Sequence, residues 1–137
     1  MSETGTPSVS VVMPVYNAER FVGTAMQSVL VQSLSDFELL IVNDGSDDNS
    51  VKICQSLADR RTRILHQKNH GVSSARNSGI AQARARIIAF LDSDDIWATF
   101  ERKSLVMVSF ATIEHLRFCG WESNEYGHRH RRVRGPL

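Results

Sequence analysis

Apolar positions along this chain alternate between short continuous runs and stripes with helical spacing. The continuous runs are bounded by polar residues, which is typical of strands buried on both faces. Between them, rows of apolar residues four positions apart predict amphipathic helices. Four strands are predicted in this way, at residues 9–13, 37–42, 62–66 and 87–91.

Three helices are predicted between these strands. In the first, Phe21, Ala25 and Val29 form one apolar row beside a second row of Val22, Met26 and Leu30. The third spans residues 71–83 and is rich in alanine. The second helix is predicted from four residues that share one face: Val51, Cys54, Leu57 and Ala58.

A few residues are expected to end, cap or closely pack these predicted strands and helices. Pro14 is expected to end the first strand, because proline cannot donate to a strand ladder. Ser46 or Asp47 is expected to cap the second helix. Gly79 disfavours a helix by about 1 kcal/mol relative to alanine, so it is expected to serve close packing of the third helix on the sheet.

This alternation predicts an α/β fold with a mostly parallel sheet and helices on both faces. In a doubly wound sheet of strand order 3-2-1-4, strands one and four are neighbours, and the crevice between them binds ligands. Residues 14–17 and 92–95 are then expected to face one another. Asp44 is expected at the end of the next strand.

Three carboxylates, Asp92, Asp94 and Asp95, follow the fourth predicted strand within four positions. Like charges this close repel one another, so their ordering needs a compensating cation or solvent. Carboxylates together with substrate phosphates commonly hold Mg²⁺ or Mn²⁺. From spacing alone, a metal-diphosphate site and a solvated acidic turn are both compatible with the pattern.

The loop after the first strand lacks the glycines of a dinucleotide-binding turn, and the chain contains no P-loop sequence. The phosphates of a ligand are therefore expected at the acidic loop. Tyr16 is either an aromatic residue that packs a base or a half-buried loop residue. Asp44 either accepts hydrogen bonds from a base or ribose, or forms a turn before Gly45.

Composition narrows the classes of protein and partner. The chain has 137 residues, which favours one domain, and 16 Lys and Arg against 15 Asp and Glu give a net charge of +1. No nucleic-acid partner is expected from this balance. Neither a membrane-spanning run nor a signal peptide is visible. Cys54 and Cys119 are far apart, which favours a reduced, cytoplasmic setting with Cys54 as a small core residue.

Four motifs, in this order and at these spacings, resemble family 2 glycosyltransferases of the GT-A fold. They are Val-Val-Met-Pro-Val-Tyr-Asn at 11–17, Ile-Val-Asn-Asp-Gly-Ser-Asp-Asp at 41–48, Asn-His-Gly at 69–71 with Ala-Arg-Asn-Ser-Gly at 75–79, and Phe-Leu-Asp-Ser-Asp-Asp-Ile-Trp at 90–97. The resemblance covers residues 8–97. It implies that residues 1–97 form the part of a GT-A domain that binds a nucleotide-diphospho-sugar.

The resemblance also implies roles for individual residues. Asp92 would lie towards the ribose and Asp94 on a divalent metal, Mg²⁺ or Mn²⁺, as the Asp-x-Asp pair. Arg76 would lie near the nucleotide, although an arginine at the surface of the third helix is the alternative. The remaining residues would bind the nucleoside: Pro14, Val15, Tyr16 and Asn17 line its pocket, and Asp44 binds the base.

A UDP-sugar is the implied donor, and a glycan or lipid-linked molecule is the implied acceptor of an inverting transfer. The resemblance places such an activity in polysaccharide biosynthesis for the cell envelope. The expected location is the cytoplasm or the inner face of the membrane.

The resemblance ends near Trp97, because Thr99 and Arg102 stand where relatives carry proline and leucine. Residues 98–137 are therefore expected to be divergent or poorly ordered. The basic run at 128–134 is either a solvated tail or a contact with a membrane surface. The fourth strand is expected to lack an outer neighbour, which leaves the GT-A sheet incomplete at its C-terminal side and favours self-association.

The residues that resemble the family account for donor and metal only. No motif identifies the carboxylate that deprotonates the acceptor, although Glu114, Glu122 and Glu125 are available. A non-catalytic donor-binding or interaction module is therefore the alternative function.

Overall fold

The computed structural model describes residues 5–97 and a two-residue strand at 111–112. Its elements alternate as β1 (Val9–Val15), α1 (Val22–Leu30), β2 (Phe37–Asp44), α2 (Ser50–Leu57), β3 (Thr62–Gln67), α3 (Val72–Gln82), β4 (Ile87–Phe90) and β5 (Ala111–Thr112). The predicted alternation of strands and helices is confirmed. Residues 98–110 and 113–137, with their expected disorder, basic run and candidate carboxylates, lie outside the described residues.

The sheet has the order β3-β2-β1-β4-β5. β1 pairs in parallel with both β2 and β4, so the predicted order 3-2-1-4 is confirmed. β5 pairs antiparallel with β4, through Ile87 with Thr112 and Ile88 with Ala111. The expectation that the fourth strand lacks an outer neighbour is therefore wrong over these two residues.

Helices cover both faces of the sheet, as predicted. α1 and α2 pack on the face formed by alternate β1 residues such as Val11 and Met13, and Cys54 is fully buried there. α3 packs on the opposite face, against Val12 and its neighbours on β2 and β4. A Cβ placed on Gly79 would lie 2.4 Å from Val12 Cγ1, which confirms that this glycine serves close packing.

Two strands run further than predicted. β1 continues through Pro14 to Val15. The carbonyl of Val12 accepts from the amide of Leu91, so Val12 and, two residues later, Pro14 face the β4 side. The β1–β4 pairing ends at Val12 and Phe90. No β4 partner therefore lies opposite Pro14, and its missing N–H costs no hydrogen bond in the sheet. β2 likewise continues to Asp44, which therefore ends a strand and does not belong to the turn.

The start of α2 also differs from the prediction. Neither Ser46 nor Asp47 caps this helix, which begins at Ser50 after Asn49. Ser46 and Asp47 instead contact the loop after β1, and Asp48 Oδ1 accepts from the Ser50 amide at 2.9 Å. In the described part of the chain, no helix has the length and apolar character needed to cross a membrane.

Candidate functional site

The carboxyl ends of β1, β2 and β4 lie side by side at one edge of the sheet. Val15 at the end of β1 is paired with Asn43 near the end of β2. The loop that follows β4 leaves the sheet on the other side of β1. Residues 14–17, Asp44 and the acidic loop at 92–95 are therefore gathered at one rim, as the predicted topology requires.

The loops after β1 and β2 are joined by hydrogen bonds. The Asn17 amide donates to Ser46 Oγ at 3.1 Å, and Asn17 Oδ1 accepts from the Asp47 amide at 2.9 Å. The Ala18 amide donates to the buried Ser50 hydroxyl at 2.8 Å. Asn17 has a φ of 44°, a left-handed conformation that asparagine tolerates better than most residues. Asn17 thus links the two loops, a function that its motif did not reveal.

The Asp44 carboxylate lies in a nest of donors from β3 and the start of α3. Asp44 is only 3% exposed. Its Oδ1 accepts from Gln67 Nε2 at 2.7 Å and from the His70 amide at 2.9 Å, and its Oδ2 accepts from the Gly71 amide at 3.0 Å. The carboxylate is therefore held rigidly between the ends of β2, β3 and α3.

Arg76 and Asp92 form an ion pair across the rim. Arg76 lies on the sheet side of α3 and is 7% exposed, and its Nη2 donates to Asp92 Oδ1. The alternative of a surface helix arginine is therefore wrong, because the guanidinium is buried against the acidic loop. Arg76 supplies a compensating cation for one of the three clustered carboxylates.

The acidic loop is held at its start by the ion pair of Asp92 with Arg76 and is bound to α1 just after its end, where the Trp97 amide donates to Ser28 Oγ at 3.1 Å. Within the loop, the Asp95 amide donates to the Asp92 carbonyl at 3.0 Å, and the side chains of Asp94 and Asp95 are exposed. Partial loss of solvation, followed by the charges of Asp94 and Asp92, raises the pKa of Asp95 above its ordinary value. A cation at this loop would relieve that repulsion.

The donor set of the loop fits one mode of metal binding. Within the described residues, no group of three or more His, Cys, Asp or Glu side chains could hold a metal ion on its own. Mg²⁺ is, however, usually held by one or two carboxylates together with substrate phosphates. Asp92 and Asp94 suit this shared mode and do not form a closed protein cage.

The remaining predicted residues of the nucleoside pocket differ in exposure. Tyr16 is 51% exposed, so its ring face is accessible to a planar ligand. Pro14 and Val15 are buried in β1, and the Val15 side chain belongs to the hydrophobic core. Gln67 was missed as a site residue. Its position directly opposite Asp44 in the β2–β3 pairing is the signal that indicates its contact with that carboxylate.

Comparison with known proteins identifies the family. Residues 10–108 match the sequence profile of glycosyl transferase family 2. The chain belongs to this family. All the predicted site residues lie within the matched segment, and the match extends past Trp97.

Two curated relatives of this glycosyl transferase family 2 chain are bacterial proteins. It is 48% identical to the uncharacterized glycosyltransferase EpsJ of Bacillus subtilis over 91 residues, which cover 65% of this chain and 26% of EpsJ. It is 35% identical to an uncharacterized glycosyltransferase of Haemophilus influenzae over 129 residues, covering 87% of this chain and 51% of that protein. The chain therefore spans between a quarter and a half of these relatives.

Solved structures of glycosyltransferases share the fold. S. aureus TarS in complex with UDP-GlcNAc superposes with a TM-score of 0.62 at 28% identity, over 65% of this chain and 27% of TarS. A Pyrobaculum calidifontis mannosyltransferase in complex with GDP-Man and Mn²⁺ superposes with a TM-score of 0.60 at 21% identity, over 69% of this chain and 29% of that one. This second likeness bears on the fold alone. The family 2 chain thus has the Rossmann-like GT-A fold, with a mostly parallel sheet.

Proposed function

We propose that this chain is the donor-binding part of a family 2 glycosyltransferase that uses a UDP-sugar and transfers the sugar with inversion. The observation that carries the proposal is the acidic loop at 92–95, which lies beside the loop of Tyr16 at the switch point of the sheet. The likeness to TarS, which has been crystallised with UDP and with UDP-GlcNAc, supports the choice of donor.

The nucleoside is assigned to the ends of β1 and β2. Tyr16, with its exposed ring, packs against the base, and Asp44 accepts a hydrogen bond from the base edge. Pro14, Val15 and Asn17 line the same pocket through their backbone. The hydrogen bonds between Asn17 and the β2 loop hold this wall in place before the ligand arrives.

The diphosphate is assigned to the acidic loop. Asp94 and Asp92 are the proposed ligands of Mg²⁺ or Mn²⁺, which when bound would neutralise the charge that develops on the leaving UDP. Asp92 also lies towards the ribose. Arg76, through its ion pair, fixes the orientation of Asp92, and its positive charge reduces the repulsion among the clustered carboxylates.

The same proposal includes an acceptor, a biological role and a cellular location. A glycan or lipid-linked acceptor, a role in the cell envelope, and a place in the cytoplasm or at the inner face of the membrane are assigned on the family resemblance. A transfer assay with a radiolabelled UDP-sugar tests the enzymatic part. Product that depends on the metal supports transfer, whereas donor binding without product supports a non-catalytic donor-binding module.

Calorimetric titration with UDP, with and without Mn²⁺, tests donor binding directly. Asp94→Asn should weaken metal-dependent binding by at least about tenfold, because loss of a partner outside the ligand shell already costs about tenfold to a hundredfold and Asp94 is a proposed direct ligand. Asp47→Asn is the matched control, because Asp47 is an exposed carboxylate on the adjacent loop that contacts Asn17 only through its backbone amide. Equal affinities for the wild type with and without metal, and for Asp94→Asn, would contradict the metal role.

A further inference from the structure

Gln67, the last residue of β3, lies at the same rim as Asp44 and has no part in the proposed chemistry so far. Its Nε2 donates to Asp44 Oδ1 at 2.7 Å, and Ser78 Oγ on α3 donates to its Oε1 at 2.6 Å. We infer that Gln67 is a positioning residue for nucleotide selectivity, which together with Ser78 orients the Asp44 carboxylate towards the base of the donor. This inference rests on the proposed contact between Asp44 and the base.

The Asp44 carboxylate determines which way the Gln67 amide faces, because a carboxylate only accepts hydrogen bonds and therefore requires the NH₂ group. The Oε1 end then accepts from the Ser78 hydroxyl, which holds the amide in this position. A flipped amide would set its oxygen against a carboxylate oxygen, and both are acceptors. Nε2 also donates to Ser74 Oγ at 3.4 Å, so the NH₂ group has two acceptors in this orientation. The relay from Ser78 through Gln67 to Asp44 therefore has one favourable arrangement.

The donors around Asp44 limit what a ligand can offer to it. Among the described residues, Gln67 and the His70 amide donate to Oδ1, and the Gly71 amide donates to Oδ2. A carboxylate has about four acceptor positions, so these three bonds leave about one, on Oδ2. A base that presents one ring N–H matches this remaining position.

Uracil and cytosine differ in the required group. The ring nitrogen between the two carbonyls of uracil carries a hydrogen, whereas the corresponding nitrogen of cytosine is an acceptor. An oriented Asp44 carboxylate accepts from uracil and repels cytosine. The relay should therefore contribute to the preference for UDP over CDP, which a purely structural role of Gln67 would not affect.

The experiment measures UDP and CDP affinity by calorimetry in the presence of Mn²⁺, using the full chain. Gln67→Leu removes the donor to Asp44 while keeping a side chain of similar bulk, and Ser78→Ala removes only the hydroxyl that holds the other end of the Gln67 amide. Matched controls on α2 are Gln55→Leu, an exposed glutamine, and Ser56→Ala, whose hydroxyl donates to its own helix at Ile53.

The wild type should bind UDP more tightly than CDP. Gln67→Leu should weaken UDP about tenfold, the effect of losing one hydrogen bond to a charged group, and leave CDP unchanged. Ser78→Ala should reduce the UDP preference in the same direction but less. Both control variants should keep the wild-type ratio of the two affinities.

Two results would overturn the inference alone: an unchanged ratio in Gln67→Leu, or an equal loss for UDP and CDP. Circular dichroism checks the fold of each variant. If Gln67→Leu does not fold, an unchanged ratio in Ser78→Ala overturns the inference. A wild type that binds UDP and CDP equally would refute the proposed base contact of Asp44 and this inference with it, while the separate Asp94 titration still tests the metal site.

Discussion

Glu38 at the amino edge of the sheet and the acidic loop at 92–95 at the carboxyl edge hold their carboxylates in opposite ways. At the amino edge, Glu38 near the start of β2 is 1% exposed, and both of its carboxylate oxygens accept hydrogen bonds. Its oxygens accept from Ser10 Oγ at 2.6 Å, from the Arg84 amide at 2.7 Å and Nε at 2.9 Å, and from Arg63 Nη1 at 3.2 Å. At the carboxyl edge, Asp94 and Asp95 are exposed, and Arg76 compensates Asp92.

The pKa shifts of the two groups point in opposite directions. Burial raises the pKa of Glu38, but hydrogen bonds from Ser10, Arg84 and Arg63 outweigh burial and hold that pKa below its ordinary value. Burial and the neighbouring carboxylates raise the pKa of Asp95. The charge of Glu38 is thus satisfied within the protein, as is that of Asp44, whereas the charge of the acidic loop at 92–95 favours a cation from outside. The first edge serves stability, and the second is suited to a ligand.

Removing Glu38 should have the largest effect on stability. Glu38→Ala leaves Ser10 and two arginines without their shared acceptor, and breaking such a buried network costs about 3 kcal/mol, the low end of the usual range because the arginines are partly exposed. Urea denaturation measures the free energy of unfolding. The folded variant should bind UDP as the wild type does, and a loss of UDP affinity would contradict the division between the two edges.

Gly79→Ala should have the next largest effect, because α3 connects the edges and packs closely on β1. The new Cβ would lie 2.4 Å from Val12 Cγ1 in a fully buried core. Overpacking costs about 1–3 kcal/mol, which exceeds the gain of about 1 kcal/mol in helix propensity. The expected net loss is up to about 2 kcal/mol, measured by thermal unfolding.

A glycine in another helix provides the control for this substitution. In Gly23→Ala, the new Cβ would lie 3.3 Å from Ile53 Cγ2, which needs a shift of only a few tenths of an ångström, and the gain in helix propensity offsets that cost, so stability should change little. Equal stability of Gly79→Ala and Gly23→Ala would show that the approach of α3 to Val12 is not tight.

A pair of arginine substitutions sharpens the comparison further. Arg76→Leu removes the partner of Asp92 and should weaken UDP binding about tenfold, with a loss of stability of about 1 kcal/mol. Arg84→Leu at the opposite edge should lower stability and leave UDP binding unchanged. Calorimetry and denaturation on both variants test this, and a similar loss of UDP affinity in the two would speak against separate functions.

The pH dependence should show the smallest effect, and its sign differs between the edges. The pKa of Glu38 is lowered in the fold, so its stabilisation is present above the ordinary pKa of glutamate and is lost as pH falls through the native pKa. The pKa of Asp95 is raised, so its contribution is lost as pH rises through the native pKa. On acidification, Glu38→Gln should lose less thermal stability than the wild type loses. Asp95→Asn should not show this smaller loss of stability.

The carboxyl edge was more accessible to prediction from sequence than the amino edge. Local alternation indicates a doubly wound parallel sheet, and the order 3-2-1-4 of one such sheet gathers the loops of Tyr16, Asp44 and Asp92. Gly79 was also predicted correctly, because its cost within a helix indicates a compensating contact. These predictions depend on patterns that are short in sequence.

The unpredicted features depend on contacts between distant residues. Glu38 lies in an apolar strand and meets Ser10, Arg63 and Arg84, which are 28, 25 and 46 residues away. The bonds of Asn17 to the β2 loop span 29 and 30 residues. No local spacing indicates such partners. The early start predicted for α2 failed for the same reason, since Ser46 and Asp47 bond to the distant β1 loop.

The most direct test measures stability and UDP binding together on Glu38→Gln and Asp94→Asn. Both substitutions replace one carboxylate by an amide of nearly equal size, so they differ chiefly in the edge that they change. Glu38→Gln should lower the free energy of unfolding and keep the metal-dependent UDP affinity. Asp94→Asn should keep the free energy of unfolding and lose the metal-dependent UDP affinity. If Asp94→Asn binds UDP with Mn²⁺ as tightly as the wild type, or if folded Glu38→Gln loses that binding, the division of roles between the two edges is wrong.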